Sequence, residues 1–287
     1  MKPSVFLINI IFVCSMLSCQ KKVDWLVDPV TKEVLDSTQN QANASEVLTS
    51  IVAVTGNETL ETNFKYYSSK YLQSELLEGS ENGLPVCRYK KYYRDTLGKI
   101  IKIAAKEKQQ SDSIFTSVIY DDYYANTVLY TLSIIKVQST TVRDSVVFVY
   151  DGNGHIGIQK SYSQKPNSSY HLYQQKEYTY AGNNLVKARQ FVDSSNTAIL
   201  ILASEYHYLY DTRLNPLQLR NEAFLTGSPE RASLNNLIST DLDNKMFPAD
   251  NYKVESKLLY SNTRKPVYCT SVKSPMGTVS LLSYYYK

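Results

Sequence analysis

The chain has little of what several common architectures require. Only 10 of 287 residues are glycine and 9 are proline, which excludes collagen-like and proline-rich low-complexity chains. Four cysteines, Cys14, Cys19, Cys87 and Cys269, are too few for a disulfide framework. The 31 basic and 27 acidic residues leave a formal charge of +4 with no basic block, so charge gives no case for nucleic acid. No apolar run reaches the ~20 residues that a membrane-spanning helix needs. Tryptophan occurs once and phenylalanine 8 times, against 25 tyrosines. The aromatic content is therefore of one kind, with an apolar body and a polar tip.

The first residues carry a different signal. Lys2 precedes an apolar run from Val5 to Leu17, and Ser18 and Cys19 follow, as in an export signal. Met16-Leu17-Ser18-Cys19 resembles the bacterial lipobox, with Met16 in place of the usual leucine. That resemblance implies cleavage before Cys19 and a diacylglycerol on its sulfur. The expected organisation is a signal peptide over residues 1–18, a tether over 19–58 and a β-repeat domain over 59–287. The expected location is lipid-anchored at the outer membrane, with the periplasmic or cell-surface face left open. Cys87 and Cys269 then remain, each in a strand-like run. They read as buried free thiols, with a bridge between them as the alternative.

From Phe64 onward the pattern has period two, as strands require. Glu205-Tyr206-His207-Tyr208-Leu209-Tyr210 puts three tyrosines on one face, and Tyr178 and Tyr180 repeat the arrangement. Tyr120, Tyr150, Tyr180 and Tyr210 recur every 30 residues, each before a turn rich in Gly, Asn or Asp. The spacing predicts an all-β fold of about 12–14 antiparallel strands in meander order. An open, strongly curved sheet or half-barrel is the first expectation; a closed barrel or a two-layer sandwich is the second. Ile199 to Ala203 and Val146 to Val149 are apolar on both parities and read as strands covered on both faces. Lys and Arg fall on both parities, which argues against a transmembrane barrel. One insertion, about residues 224–252, interrupts the beat. Ser228-Pro229-Glu230-Arg231 reads as a helix start, with Leu234, Leu237 and Ile238 on one helical face lying on the sheet.

Tyr120, Tyr150 and Tyr210 are each followed by Asp. Tyr210-Asp211 with Asn215-Pro216, Leu234-Asn235-Asn236, a hairpin from Tyr260 to Val272 and a terminal Tyr284-Tyr285-Tyr286 complete a set. In this order, over roughly residues 60–287, they resemble Bacteroidota lipoproteins with YD/RHS-like β-hairpin repeats. The resemblance implies a long antiparallel meander at the cell envelope. It implies no activity and no site.

Catalytic patterns are sparse. Gly152 to Gly157 matches a dinucleotide fingerprint, but a strand follows where a helix must hold the pyrophosphate. His155, His171 and His207 have no zinc spacing, and no nucleophile elbow occurs. Asp121-Asp122, Asp241, Asp243 and Glu205 read as solvated acids rather than a glycosidase pair. No enzyme activity, cofactor or metal is expected. The candidate binding residues are Tyr178, Tyr180, Tyr206, Tyr208 and Tyr210. They read either as cross-strand packing or as an aromatic platform for a glycan or an envelope protein, with Arg88, Lys90, Lys91, Lys187 and Arg189 nearby. The expected function is a lipid-anchored cell-envelope protein that binds carbohydrate or protein. The alternatives are a structural or adhesive surface module, and a periplasmic carrier of an apolar ligand.

Overall fold

The computed structural model describes residues 47–67, 71–107, 114–120, 127–137, 140–194 and 199–287. The expected signal peptide, Cys19, the tether up to residue 46, and Asp121-Asp122 lie outside these residues. The first eight strands are β1 (Leu48–Thr55), β2 (Glu58–Tyr66), β3 (Leu72–Glu81), β4 (Leu84–Arg94), β5 (Ile100–Glu107), β6 (Ile114–Tyr120), β7 (Val128–Val137) and β8 (Thr140–Tyr150). The remaining eight are β9 (Ile156–Gln164), β10 (His171–Ala181), β11 (Asn184–Val192), β12 (Ile201–Leu214), β13 (Asn235–Asn244), β14 (Tyr252–Tyr260), β15 (Pro266–Ser274) and β16 (Thr278–Tyr286). Each pairs antiparallel with the next, and β16 pairs back onto β1.

The sheet is therefore a closed sixteen-strand barrel, not the expected open half-barrel of 12–14 strands. The closing strand, β1, lies within the stretch read as tether, so the barrel starts near Leu48 rather than at residue 59. A bulge between Leu48 and Ser50 breaks its period-two pattern, which hid it among the polar residues. At the seam Ile51 lies opposite Tyr284 and Val54 opposite Leu281. Val47 and Lys287 exchange both backbone bonds, at 2.9 and 3.0 Å. Closure leaves no sheet edge to protect.

Alternate residues face in and out. Phe64, Tyr92, Phe148, Tyr178, Tyr208 and Leu282 belong to one buried cluster, so their chain neighbours face outward. The runs of double apolar parity are single-faced after all. Ile199, Ile201 and Val149 are exposed, because a one-layer barrel covers only its inner face.

A circular barrel of sixteen strands has a backbone radius of about 16 Å, too wide for wall side chains alone to fill. The link between β12 and β13, residues 215–234, folds inward and fills it. It carries α1 (Glu222–Thr226) and a 3-10 turn at Pro229–Ala232. Ala223 and Phe224 are buried, and the Phe224 ring meets Tyr178 edge-on at 4.9 Å. The insertion thus begins and ends earlier than expected and enters the lumen instead of lying on the sheet. Ser228-Pro229 opens only the 3-10 turn, and Leu237 and Ile238 belong to β13. There the ladders to β12 and β14 prevail over a short helical periodicity.

The thirty-residue beat has a structural cause. Even strands end at the rim where odd strands begin. Near the ends of β2, β6, β8, β10 and β16 an inward tyrosine reaches back to the first backbone carbonyl of the preceding odd strand. Tyr66 donates to Leu48 O at 2.9 Å, Tyr120 to Ile100 O at 3.2 Å and Tyr180 to Ile156 O at 3.1 Å. Tyr286 donates to Pro266 O at 2.9 Å. Tyr150 donates to Val128 O at 3.2 Å and accepts from Val128 N at 2.9 Å. On β4 the same place is held by Arg94, whose guanidinium donates to Leu72 O at 3.2 and 3.3 Å. The following Asp shapes the turn. Asp151 Oδ1 accepts from the N–H groups of Asn153 and His155, and Asp95 Oδ1 from those of Leu97 and Lys99. Gly154 and Gly98 then supply positive φ, at 80° and 84°.

Replacing Tyr150 by Phe leaves both Val128 backbone groups without a partner. The expected cost is about 1–3 kcal/mol in urea unfolding. Tyr130→Phe on the outer face changes stability by less than about 0.5 kcal/mol. Equal effects would show that the clasp contributes nothing special.

Candidate functional site

The plug is fastened to the wall by charge. Arg94 holds Glu222 through two bonds of 2.8 and 2.9 Å. Arg231 pairs with Glu75 at 2.7 Å, both side chains being almost wholly enclosed. Lys90 Nζ donates to Thr226 O at 2.6 Å. The Leu185 N–H donates to Ser233 Oγ at 2.9 Å, and Tyr210 sits beside the same serine. The charges of Arg231 and Lys176 both act on Glu230 against its burial. Burial raises its carboxyl and lowers the ammonium groups of Lys90 and Lys176.

Two cavities flank this cluster. The larger, of about 160 Å³, lies between the plug and the β12–β16 wall. Its lining combines the rings of Tyr208, Tyr252 and Tyr284, the hydroxyls of Ser239, Thr240, Ser256 and Ser271, and aliphatic groups of Ile51, Leu237, Val254, Leu258 and Leu282. The smaller, of about 70 Å³, lies toward β2–β4 and includes Phe64, Glu75 and Lys90. Glu230 and Arg231 line both, so the pair forms the partition between them.

The structure brings the five candidate tyrosines together, but inside the barrel. Tyr178 and Tyr206 lie on either side of Ala188 in one row across β10–β12. The Tyr206 and Tyr208 rings are parallel, 6.2 Å apart. Tyr178 is spent on Phe224 and on a bond to Gln159, and Tyr180 on its clasp and on stacking with His155. Tyr208 alone of the five lines the larger cavity. Of the nearby cations, Arg88 and Lys90 line the smaller cavity, whereas Lys91, Lys187 and Arg189 have outward parity. Of the charged residues in the lumen, Glu75, Arg94, Lys176, Glu222, Glu230 and Arg231 were not singled out as a site by sequence reasoning, which had named Arg88 and Lys90 only as cations beside the tyrosines. Lys90 and Arg94 share parity with the buried Tyr92, and that was the available signal.

Other candidates stay apart. His171 pairs with Asp193 at 2.9 Å, the carboxylate being fully enclosed, and His207 with Glu205 at 2.8 Å on the outer face. Asp241 and Asp243 alternate with the inward Thr240 and Leu242 and face outward. Among the described residues no three His, Cys, Asp or Glu side chains converge as a metal site. Cys87 and Cys269 are both free thiols, the second buried.

The outer wall is charged at mid-strand. Glu177 pairs with Arg189 at 2.7 Å and Lys187 with Glu205 at 2.9 Å, and toward the start of β14 Lys253 pairs with Glu255 at 2.6 Å. A lipid-facing Lys or Arg costs about 2–4 kcal/mol at the bilayer midplane, so this wall is unsuited to hydrocarbon.

No family model and no curated protein matches the chain. Among solved structures, a porin-like protein from Bacteroides uniformis aligns with a TM-score of 0.54 at 7% identity, covering 86% of this chain and 99% of that one. The fold resembles that of a porin-like barrel. A second porin-like protein, from Bacteroides vulgatus, aligns at 12% identity with a TM-score of 0.48, covering 84% and 99%. At such identity the likeness is one of fold. Porins of sixteen strands leave a water-filled channel. In this porin-like fold the channel space holds α1, the 3-10 turn and inward tyrosines.

Two measurements follow. Glu75→Leu or Arg231→Leu alone leaves a buried charge and costs about 3–5 kcal/mol in urea unfolding. The double variant costs far less than the sum; additive costs would show that the pair is not coupled. The second is alkaline titration. Burial raises Tyr66 to about 12, with Glu75 adding to the effect, and raises Tyr173 to about 12. The native state keeps these phenols protonated where the unfolded chain ionises. Their contribution is complete below pH ~10 and declines as pH rises through 10 toward 12. Melting temperature should fall over that range, and tyrosinate absorbance should rise cooperatively with unfolding. A native barrel whose phenols all titrate near pH 10 contradicts this.

Proposed function

We propose that the protein is a lipid-anchored envelope barrel that binds a ring-sized ligand, a sugar first, in the lumen beside its plug. The observation that carries this reading is the larger cavity. A void of 150 Å³ accommodates one benzene-sized molecule, so about 160 Å³ suits a single ring. Three tyrosine rings offer faces to the C–H side of a sugar, and four hydroxyls with Glu230 and Arg231 offer hydrogen bonds. The porin-like fold of the Bacteroides neighbours supports an envelope setting, and the lipobox supports anchoring through Cys19. A charged outer wall supports a barrel held by its tether rather than by strands crossing the bilayer. The Tyr-Asp turns support reading the chain as one of the YD-type hairpin-repeat lipoproteins. The aliphatic half of the lining, Ile51, Leu237, Val254, Leu258 and Leu282, favours a second reading, carriage of a small apolar molecule.

Thermal shift of the chain from residue 19, with Cys19→Ser, tests these readings. Ligand at a hundredfold its Kd adds about 2.7 kcal/mol, which for this size is a rise of several degrees. Hexoses should give that rise, and Val254→Phe, which fills the cavity, should abolish it. A rise with short fatty acids alone favours the carrier. No rise with either leaves a structural module.

A further inference from the structure

One part of the outer wall differs from the rest. On β6, Val118 and Tyr120 pack inward, so Phe115, Ser117 and Ile119 face outward. On β8, Val146 and Phe148 pack inward, so Val147 and Val149 face outward. Across the ladders Phe115 lies opposite Ile134, Ile119 opposite Tyr130, Tyr130 opposite Val147, and Val149 opposite Ile158. These apolar side chains form one patch over four strands. Phe115 is 46% exposed, Ile134 50% and Val149 43%. A contiguous apolar area on the outside of a folded chain marks an interaction surface.

Among the described residues the charges around it are mostly of one sign, Glu177 on β10 opposite Ile158 being the acidic exception. Lys91, Lys102, Lys106, Arg143 and Lys160 project outward from β4, β5, β8 and β9. Lys102 Nζ lies 4.1 Å from the centre of the Phe115 ring and 5.6 Å from that of Tyr93, and Lys91 Nζ lies 4.9 Å from Tyr93. The acidic strand residues of this sector turn inward. Glu107 faces the inward Arg88, and Asp144 pairs with Ser133 and Ser163 on the lumen side. From β10 to β14 the outer face is mixed in charge, with Glu177, Glu205, Asp243 and Glu255 each paired to a Lys or Arg. The barrel is thus polarised from side to side, which binding inside the lumen does not require.

We propose that the outer face of β4–β9 docks on an anionic lipid surface, with the barrel lying on its side. Lysine and arginine with long apolar stems reach headgroup phosphates while aromatic and aliphatic groups enter the acyl boundary. The segregation of charge selects this occupant. An apolar patch alone suits another protein, but one bordered mainly by cations and amphipathic rings, with its one acidic neighbour Glu177 paired to Arg189, complements a sheet of phosphates. The inference does not depend on the lumen ligand, and the anchor is removed in its test.

The test is co-sedimentation of the chain from residue 19, with Cys19→Ser, on vesicles of phosphatidylcholine with or without phosphatidylglycerol. Binding is expected only with phosphatidylglycerol, and it should weaken as salt rises. Lys102→Glu with Lys160→Glu should lower the affinity by about tenfold or more. Phe115→Ser with Ile134→Ser should lower it as well, whereas Lys187→Glu on the opposite wall should not. Circular dichroism confirms that each variant is folded. Absence of binding by the parent chain, or binding that ignores these variants, overturns the proposal. So does a dimer in solution that Phe115→Ser with Ile134→Ser dissolves, because the face would then join two copies.

Discussion

A closed sheet of sixteen strands encloses more space than its own side chains fill, and filling that space is the constraint on which the structure depends. The chain meets it with large amphipathic residues on the wall and with one inward-folded link. Tyrosine suits the wall because its ring occupies volume while its hydroxyl pairs with backbone that the rim leaves exposed. Phenylalanine would fill the volume and leave carbonyls at the strand starts without donors. This accounts for Tyr66, Tyr120, Tyr150, Tyr180 and Tyr286 among the 25 tyrosines.

The period-two pattern and the thirty-residue beat made the meander legible. They could not show closure, because closure depends on β1 finding β16, two segments more than two hundred residues apart. The bulge at Leu48 to Ser50 further disguised β1. The insertion was legible as an interruption but not as a plug. Glu222, Glu230 and Arg231 look like solvated charges in a loop until Arg94, Glu75 and Lys176 stand opposite them. The five candidate tyrosines were correctly grouped on one side of the sheet. A period-two argument cannot tell which side becomes the inside, and for these residues it was the inside.

Likeness to porin-like barrels and unlikeness to a conducting pore come from the same parity. In a membrane barrel the outward residues are apolar and the inward ones line water. Here the β10–β14 wall carries ion pairs outside and a packed core inside. The β4–β9 wall is intermediate, with apolar groups and cations outside. One strand arrangement therefore serves two solvents on two sides, and the side-chain alternation alone decides which solvent each wall suits.

Arg94 joins these themes. It occupies the clasp position that tyrosine holds on five other even strands, and it bonds the same kind of carbonyl, Leu72 O. A phenol there would close the hairpin equally well. The guanidinium has donors left over, and these reach Glu222 on α1 and the Gly98 carbonyl at 2.6 Å. Departure from the repeat thus coincides with the point where the wall grips the plug. An aromatic clasp needs only its own hairpin. A charged clasp also takes a partner from elsewhere in the chain, here Glu222 in the inward-folded link. Barrel closure and plug insertion are in this way parts of one folded state.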